Sequence, residues 1–271
     1  MISIIICTPA DDITPDQRTN IVSTIGCDHE IIVIPNTNRE YSIFQAYNIG
    51  VKKSSGEILG FIHNDVTFET GGWGLSIEHI LKDNRIGLVG VIGGHIAPDF
   101  PAYYSECPYI SSRNADNDNG KVMNHESGYW DSHGLADVAV VDGQQMFMPK
   151  DIFPPLSFDE ERYRGFHGYD MDISMQVHSI GKRVVVTNQY KSVHMWNESK
   201  WDNPKLIKEL TYALNTFVEK WQSDLPLICG IQKPKEEVDS LMNIWHNSYR
   251  YRMILQSKSY RLGKFFTKLF I

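Results

Sequence analysis

The first 62 residues alternate between short apolar runs and segments with helix signals, and few folds accommodate this alternation. The apolar, β-branched runs cover residues 3–7, 30–34 and 58–62, as expected of buried parallel strands. Between them, Thr14–Pro15 marks a helix start, and residues 42–53 carry an approximate apolar face at helical spacing. Strand, helix, strand, helix and strand with short links predict a right-handed parallel sheet of the α/β class.

The rest of the chain continues this pattern with one long interruption. From 95 to 135 the chain is rich in Asn, Asp, Ser, Gly and Tyr, and it shows no periodicity. We expect a long irregular loop there, which in a compact domain is usually functional or disordered. The other predicted strands are 86–92, 138–141, 145–148 and 183–187, and the other predicted helices are 73–81, 173–180 and 206–221.

Composition limits the classes of function. The 271 residues are 42% hydrophobic, enough for one large α/β domain or two small ones. The net charge of −7 argues against general affinity for nucleic acid. No apolar stretch reaches the roughly 18 residues of a membrane span. The four cysteines form no Cys-x-x-Cys pair, so we expect a reducing cytosol and neither a zinc knuckle nor a disulfide framework.

A polar triplet, His63-Asn64-Asp65, follows the third predicted strand. Open α/β sheets bind ligands at the carboxyl edge, where Asp65 can hold a magnesium or manganese ion that also binds substrate phosphates. His194 follows the last predicted strand, and its imidazole is a good manganese ligand, although a lone His is more often structural. The alternative for the triplet is a simple turn, because Asn and Asp favour turns.

Two carboxylates precede the helix predicted at 173–180. Asp170 and Asp172 are separated by one residue, so they do not share a helix face. One can face a substrate while the other serves the helix N-terminus, where negative charge is stabilised. The alternative is that both only cap the helix.

The order of these motifs resembles family-two glycosyltransferases with the GT-A fold, over roughly residues 1–225. The usual family triplet is Asp-x-Asp, so His63 is a departure. The usual helix-opening motif is Gly-Glu-Asp-x-Asp-Leu, so Tyr169 stands where Glu is usual, although one branch carries His-x-Tyr-Asp-x-Asp. The fold implied is α/β and Rossmann-like, with a mostly parallel sheet flanked by helices. The matching stretches are Asn48-x-Gly50, Gly56-Glu57, Phe61-x-His63-Asn64-Asp65 and Gly168-Tyr169-Asp170-Met171-Asp172.

The resemblance also implies a role for individual residues. Asp170 matches the catalytic base, and Asp65 with His194 matches a site for Mn²⁺ or Mg²⁺. The implied donor-binding residues are Thr8, Pro9, Asn36, Asn48, His63, Asn64 and Asp65. The implied acceptor-side residues are Asp142, Gly143, His167, Asp172 and Trp196.

The implied activity is transfer of a sugar from a nucleotide-diphosphate sugar to a hydroxyl of a glycan or lipid-linked acceptor, with inversion. One alternative is a sugar nucleotidyltransferase, which normally needs a Gly-rich, basic loop after the first strand. Residues 7–12 have neither feature. The other alternative is a non-catalytic nucleotide-sugar or glycan-binding module, which has no use for a base beside the metal.

The C-terminal end of the chain carries a separate signal. We expect a catalytic domain at 1–235, with a nucleotide-sugar half at 1–94 and an acceptor half at 95–235, and a helical tail at 236–271. Six basic and no acidic residues follow Asp239, so the net charge of −7 is the sum of +6 there and −13 in the rest of the chain. With apolar residues at helical spacing, this predicts peripheral contact with an anionic membrane surface. The family resemblance implies the setting, a cytoplasmic enzyme at the inner face of a bacterial cell membrane, as in surface-polysaccharide assembly. A homo-oligomer contact or a core helix is the alternative. The apolar residues are Leu262, Phe265, Phe266, Leu269 and Phe270.

Overall fold

The computed structural model describes residues 1–118, 120–195 and 203–256. Two features singled out in the sequence, Trp196 and the apolar face of residues 262–270, lie outside the described residues.

A seven-stranded sheet forms the centre of the molecule, in the order β10-β13-β5-β12-β3-β1-β2. Neighbouring strands β2, β1 and β3 are parallel, as are β13 and β5, whereas β12 lies antiparallel between β3 and β5 and β10 pairs antiparallel with β13. Five of the seven strands thus run in one direction, and the predicted α/β class is confirmed. The strands of this sheet are β1 (Ile2–Thr8), β2 (His29–Pro35), β3 (Ile58–Ile62), β5 (Ile86–Gly90), β10 (Leu135–Asp137), β12 (Gln145–Pro149) and β13 (Arg183–Thr187).

A second, six-stranded sheet adjoins the first, in the order β11-β6-β8-β14-β4, with β9 paired to β8. A further antiparallel pair joins β7 to β15. The strands of the second sheet are β4 (Val66–Phe68), β6 (Ile92–Gly94), β8 (Ile110–Asp118), β9 (Lys121–Ser127), β11 (Val140–Val141) and β14 (Ser192–His194). The separate pair is β7 (Ile96–Ala97) and β15 (Leu227–Ile228).

The first two helices begin with side-chain caps, whereas the helix predicted at 173–180 begins at Tyr169, so Asp170 and Asp172 lie in its first turn instead of preceding it. Thr14 accepts a hydrogen bond from the backbone of Gln17 with Pro15 in the first turn, and Ser42 with Gln45 forms a reciprocal capping box. The helices are α1 (Pro15–Thr24), α2 (Ile43–Lys53), α3 (Trp73–Ile80), α4 (Tyr169–Ser179), α5 (Pro204–Trp221) and α6 (Lys235–Gln256).

Two expectations about the middle of the chain were wrong. The strand predicted at 86–92 divides into β5 and β6, which belong to different sheets. The segment 95–135 is no irregular loop, because it contains β7, the β8–β9 hairpin and the start of β10. Its polar composition hid the hairpin: β9 is mostly exposed, and β8 buries Ser111, Ser112 and Asn114 instead of an apolar row.

Helix α6 packs on the segment between β7 and β8. Val238 and Trp245 are buried in one cluster with Phe100, and the Phe100 ring stacks on His246 with ring centroids 4.6 Å apart. Arg252 donates hydrogen bonds to both carboxylate oxygens of Glu106, at 2.5 and 2.7 Å. The domain boundary at 235 stays a prediction, but the described part of α6 is attached to the segment that precedes the hairpin. Among the described residues, no helix combines the length and hydrophobicity needed to cross a membrane.

Candidate active site

The carboxyl ends of β1, β2 and β3 share one edge of the central sheet because the three strands are parallel. Thr8 is buried at the end of β1, and its carbonyl accepts from the backbone N–H of Asn36 at 2.8 Å. Pro9 is exposed beside it. The Asn36 amide group is used within its own turn, where it bonds both backbone polar groups of Tyr41. This edge therefore brings together Thr8, Pro9 and Asn36 near the end of β3.

Three side chains at this edge could hold a metal ion: His63, Asp65 and His194. One nitrogen or oxygen atom from each lies within 4.8 Å of the other two. His194 Nε2 is 3.3 Å from Asp65 Oδ1 and 3.4 Å from His63 Nδ1. The sequence predicted Asp65 and His194 for this site, and the structure brings His63 to the same place.

The turn that carries the triplet is held from both sides. Gln17 of α1 is buried, and its Nε2 donates to the carbonyls of His63 and Val66 at 2.8 and 3.1 Å. The N–H of Met195 donates to the carbonyl of Asp65 at 2.9 Å. Half-buried Asn64 lies between the two metal-binding candidates of the triplet. The turn is thus fixed by α1 and by the residue after β14.

Each imidazole of the trio also has a partner at its other nitrogen. His63 Nε2 is 2.6 Å from the Tyr169 hydroxyl, and His194 Nδ1 is 3.6 Å from Asp116 Oδ1. Burial opposes a charged His194, but Asp116 and Asp65 outweigh burial and raise the pKa of His194 to about 10. A metal ion would therefore have to displace a proton from His194 on binding.

The two departures from the usual family motifs are in contact with each other. His63 stands where Asp is usual and Tyr169 where Glu is usual, and their side chains meet at 2.6 Å. Gly143 makes room for this contact, because a Cβ at residue 143 would lie 2.1 Å from the Tyr169 hydroxyl. The sequence alone showed the two departures separately.

A pair of carboxylates, Asp142 and Asp170, lies next to Tyr169. Asp170 is only 2% exposed. Its Oδ2 accepts from the Gly143 N–H at 3.2 Å and its Oδ1 from the Met171 N–H at 2.9 Å. Burial, followed by the charge of Asp142, raises the pKa of Asp170 to about 7. A carboxyl group with such a pKa can both accept and release a proton near neutral pH.

Two consecutive tyrosines cover this pair. The Tyr103 hydroxyl donates to Asp170 Oδ2 at 3.5 Å, and the Tyr104 hydroxyl donates to Asp142 Oδ2. Burial, with the nearby carboxylates, raises the pKa of both phenols well above the ordinary value, so both remain protonated donors. Both tyrosines belong to the segment on which α6 packs.

Several predicted site residues lie elsewhere. The Asn48 amide on α2 bonds the backbone of Phe158 and the Glu160 carboxylate, away from the metal-binding trio. Asp172, 1% exposed, accepts from Tyr163, Lys220 and Trp221, so it ties α4 to α5 instead of joining Asp142 and Asp170. His167 lies just before α4, and burial lowers its pKa.

Sequence reasoning missed Tyr103, Tyr104, Asp116 and Gln17. The first three lie within 95–135, where no periodicity placed them on an element. Gln17 had no signal beyond its place in the first turn of α1.

The sequence profile described as "Glycosyltransferase like family" matches residues 4–220. The match spans far more than half of the chain and contains every residue of the metal-binding trio and the carboxylate pair. The chain therefore belongs to this glycosyltransferase-like family, as the order of motifs had indicated.

Individual relatives are distant. The streptomycin biosynthesis protein StrF of Streptomyces griseus is 26% identical over 157 residues, which are 56% of this chain and 52% of StrF. The chain thus spans about half the length of that curated relative. A structure of GalNAc-T7 with UDP, GalNAc and Mn²⁺ is 11% identical over 72% of this chain and 44% of its own, with a TM-score of 0.49. The mannosyltransferase PcManGT of Pyrobaculum calidifontis, solved with GDP-Man and Mn²⁺, is 11% identical over 97% of this chain and 82% of its own, also with a TM-score of 0.49.

Proposed function

We propose that this protein transfers a sugar from a nucleotide-diphosphate sugar to an acceptor hydroxyl, with inversion at the anomeric carbon. The observation that carries the proposal is the adjacency of two groups: a metal-binding trio at the carboxyl edge of the sheet and a buried carboxylate, Asp170. Tyr169 connects them, because its hydroxyl contacts His63 and its chain neighbour is Asp170. A binding module would need the first group but not the second.

His63, Asp65 and His194 are the residues that would hold a divalent metal ion. Two imidazoles and one carboxylate suit manganese better than magnesium, which prefers oxygen ligands alone. When bound, the metal neutralises negative charge on the leaving diphosphate. We assign Thr8, Pro9 and Asn36, at the same edge, to the nucleoside side of the site; because the Asn36 amide bonds Tyr41, Asn36 contributes by shaping the turn.

Asp170 is the general base in this proposal. As the acceptor oxygen bonds to the anomeric carbon, its proton passes to Asp170. The bond from the anomeric carbon to the diphosphate oxygen breaks, and its electron pair leaves with the diphosphate. Attack from the opposite face in a single displacement inverts the configuration, as in inverting glycosidases.

The acceptor approaches through the position of Tyr103. Since Asp170 is 2% exposed and Tyr103 donates to its Oδ2, an acceptor hydroxyl must take the place of the phenol hydroxyl. Asp142, Gly143 and His167 are the remaining predicted acceptor-side residues near the start of α4. The acceptor is a glycan or a lipid-linked intermediate.

A thermal-shift screen of nucleoside diphosphates, each with and without Mn²⁺, tests the donor and metal parts together. We expect at least one diphosphate to raise the melting temperature only when Mn²⁺ is present, because binding to the native state alone stabilises it. The matching nucleoside, which lacks the diphosphate, is the control. Equal shifts with and without chelator for every diphosphate would contradict the metal-dependent mechanism.

We further propose that the basic C-terminal residues hold the enzyme reversibly on an anionic membrane. The support is the charge distribution, +6 after Asp239 against −13 elsewhere. Each basic residue near an anionic surface contributes about 1 kcal/mol, and salt weakens the contribution. Arg252 is already paired with Glu106, so the remaining basic residues carry the attraction. The predicted contact residues beyond 256 lie outside the described part of the chain.

Deleting residues 258–271 should release the protein from anionic liposomes while activity on a short soluble acceptor is preserved. The deletion leaves the buried residues Val238 and Trp245 of α6 in place, so the fold should persist. A full-length variant in which Lys258, Arg261, Lys264 and Lys268 are changed to Gln keeps the tail but removes its charge. It tests whether the charge, and not the mere presence of the tail, is needed for liposome binding. Co-sedimentation of the truncated and intact proteins to the same extent would instead assign the tail to an oligomer contact or to the core.

A further inference from the structure

The hairpin of β8 and β9 brings a carboxylate, Asp116, to the metal-binding trio from a part of the chain with no motif. Asp116 and His194 are register neighbours on the parallel strands β8 and β14, so their side chains lie on the same face of the second sheet. Asp116 Oδ1 is 3.6 Å from His194 Nδ1, and Asp116 Oδ2 is 3.0 Å from His125 Nε2 on β9. The carboxylate therefore lies between two imidazoles, one of which belongs to the trio.

The two nitrogens of His194 have different surroundings. Nε2 faces Asp65 and His63, whereas Nδ1 faces Asp116. A neutral imidazole has one nitrogen with a lone pair available for a metal, and the other carries the proton. A metal bound at Nε2 therefore requires the proton at Nδ1, and a carboxylate beside Nδ1 is the partner that favours this arrangement.

We propose that Asp116 is a positioning residue: it fixes the orientation of the His194 ring and keeps the proton on Nδ1, so that Nε2 is presented to the metal. The inference rests on the proposed metal site and deepens it. His125 contacts the second oxygen of Asp116. Tyr169 has the corresponding position at His63, where its hydroxyl meets Nε2 while Nδ1 faces the trio.

The face of β8 that carries Asp116 is polar along its length. Ser112 and Asn114 precede Asp116 at alternate positions, and Asn114 is fully buried with no hydrogen-bond partner among the described residues for either amide atom. A buried amide without partners costs stability. We therefore infer that this face of β8 borders the site and is not part of the hydrophobic core.

Isothermal calorimetry with Mn²⁺ alone as the ligand tests the proposal on the full chain. Loss of an outer partner of a metal-binding His typically weakens metal affinity about 10–100-fold, and we expect Asp116→Asn to raise the Kd by this factor. Asp116→Glu should recover part of the loss, because it restores a carboxylate. Glu126→Gln is the matched control, since Glu126 lies on the same hairpin and pairs with Arg113 away from the trio. It should leave the Kd unchanged.

A melting curve without metal separates positioning from a structural role. We expect Asp116→Asn to melt within a few degrees of the wild type without metal, and to lose most of the stabilisation that Mn²⁺ gives the wild type. Asp116→Ser is the second variant, should the Asn variant not fold. Wild-type Mn²⁺ affinity in either folded variant would overturn the inference, and so would loss of the fold in both. If the wild type itself binds no Mn²⁺, the proposed metal site is wrong. If the wild type binds Mn²⁺ and the Asp116 variants bind it equally well, only the inference about Asp116 is wrong.

Discussion

Replacing Asp170 with Asn is expected to lower the rate of sugar transfer by about 10²–10⁴-fold, the usual effect of losing a general base. Asn keeps the size of the side chain but cannot accept the acceptor proton. Metal-dependent binding of the nucleoside diphosphate should remain, because Asp170 is not among the trio. The measurement is initial transfer rate with saturating donor, together with calorimetric affinity for the diphosphate. Transfer at the wild-type rate by the Asp170→Asn variant would exclude Asp170 as the base.

The pH dependence gives a second readout of the same prediction. Burial and Asp142 raise the pKa of Asp170 to about 7, and the base acts only when ionised. Transfer by the wild type should therefore fall as the pH drops below about 7, and the residual activity of Asp170→Asn should lack this limb.

Stability should change little in Asp170→Asn. Because the pKa of Asp170 is raised in the folded state, the carboxyl lowers stability progressively as the pH rises above the pKa of the unfolded chain, and the loss is complete above about pH 7. Replacing the carboxyl with an amide removes this loss. The loss of one backbone hydrogen bond, from Gly143 or Met171, opposes this gain.

Asp172→Asn is the matched control for Asp170→Asn. Asp172 lies on the same helix and is equally buried, but it bonds Lys220 and Trp221. Removing one partner of a buried ion pair destabilises a protein, so this variant should melt at a lower temperature. Transfer per folded molecule should remain near the wild-type value. A selective loss of transfer without a loss of stability would instead support the acceptor-side role predicted for Asp172 from the sequence.

The second large effect is expected at the metal-binding trio. Asp65→Ala and His194→Ala each remove one of three candidate ligands, so each should weaken Mn²⁺-dependent binding of a nucleoside diphosphate by more than about 100-fold, beyond the effect of losing an outer partner. Transfer should fall in parallel. Calorimetry with Mn²⁺, and again with chelator, measures the affinity.

His79→Ala provides the control for His194→Ala. His79 lies in the last turn of α3, and among the described residues none that belongs to the site forms a hydrogen bond with it. Its affinity should match the wild type. Unchanged diphosphate affinity in both Asp65→Ala and His194→Ala, with and without chelator, would show that the metal site is elsewhere. His63→Ala then measures whether the residue that replaces the usual carboxylate takes part in binding.

The sequence by itself determined the parallel βαβ order of the first three strands. Apolar β-branched runs, the helix start at Thr14–Pro15 and the apolar face of residues 42–53 are local signals, and local sequence fixes them. The same order places the ends of β1, β2 and β3 at one edge, so the position of Asp65 followed from chain order. The family motif around Asp170 was equally local, because it opens a helix.

Only the tertiary structure decided which residues complete the site. The partners of His63 and His194 are Tyr169 and Asp116, each far away along the chain, and chain order contains no information about such side-chain contacts. The tertiary structure also distinguishes the two carboxylates of the motif. Within one turn of α4, Asp170 contacts Gly143 whereas Asp172 contacts Lys220. The β8–β9 hairpin escaped prediction because β8 buries polar side chains, Ser111, Ser112 and Asn114, and β9 is mostly exposed, so neither strand shows the apolar alternation by which a strand is predicted from sequence.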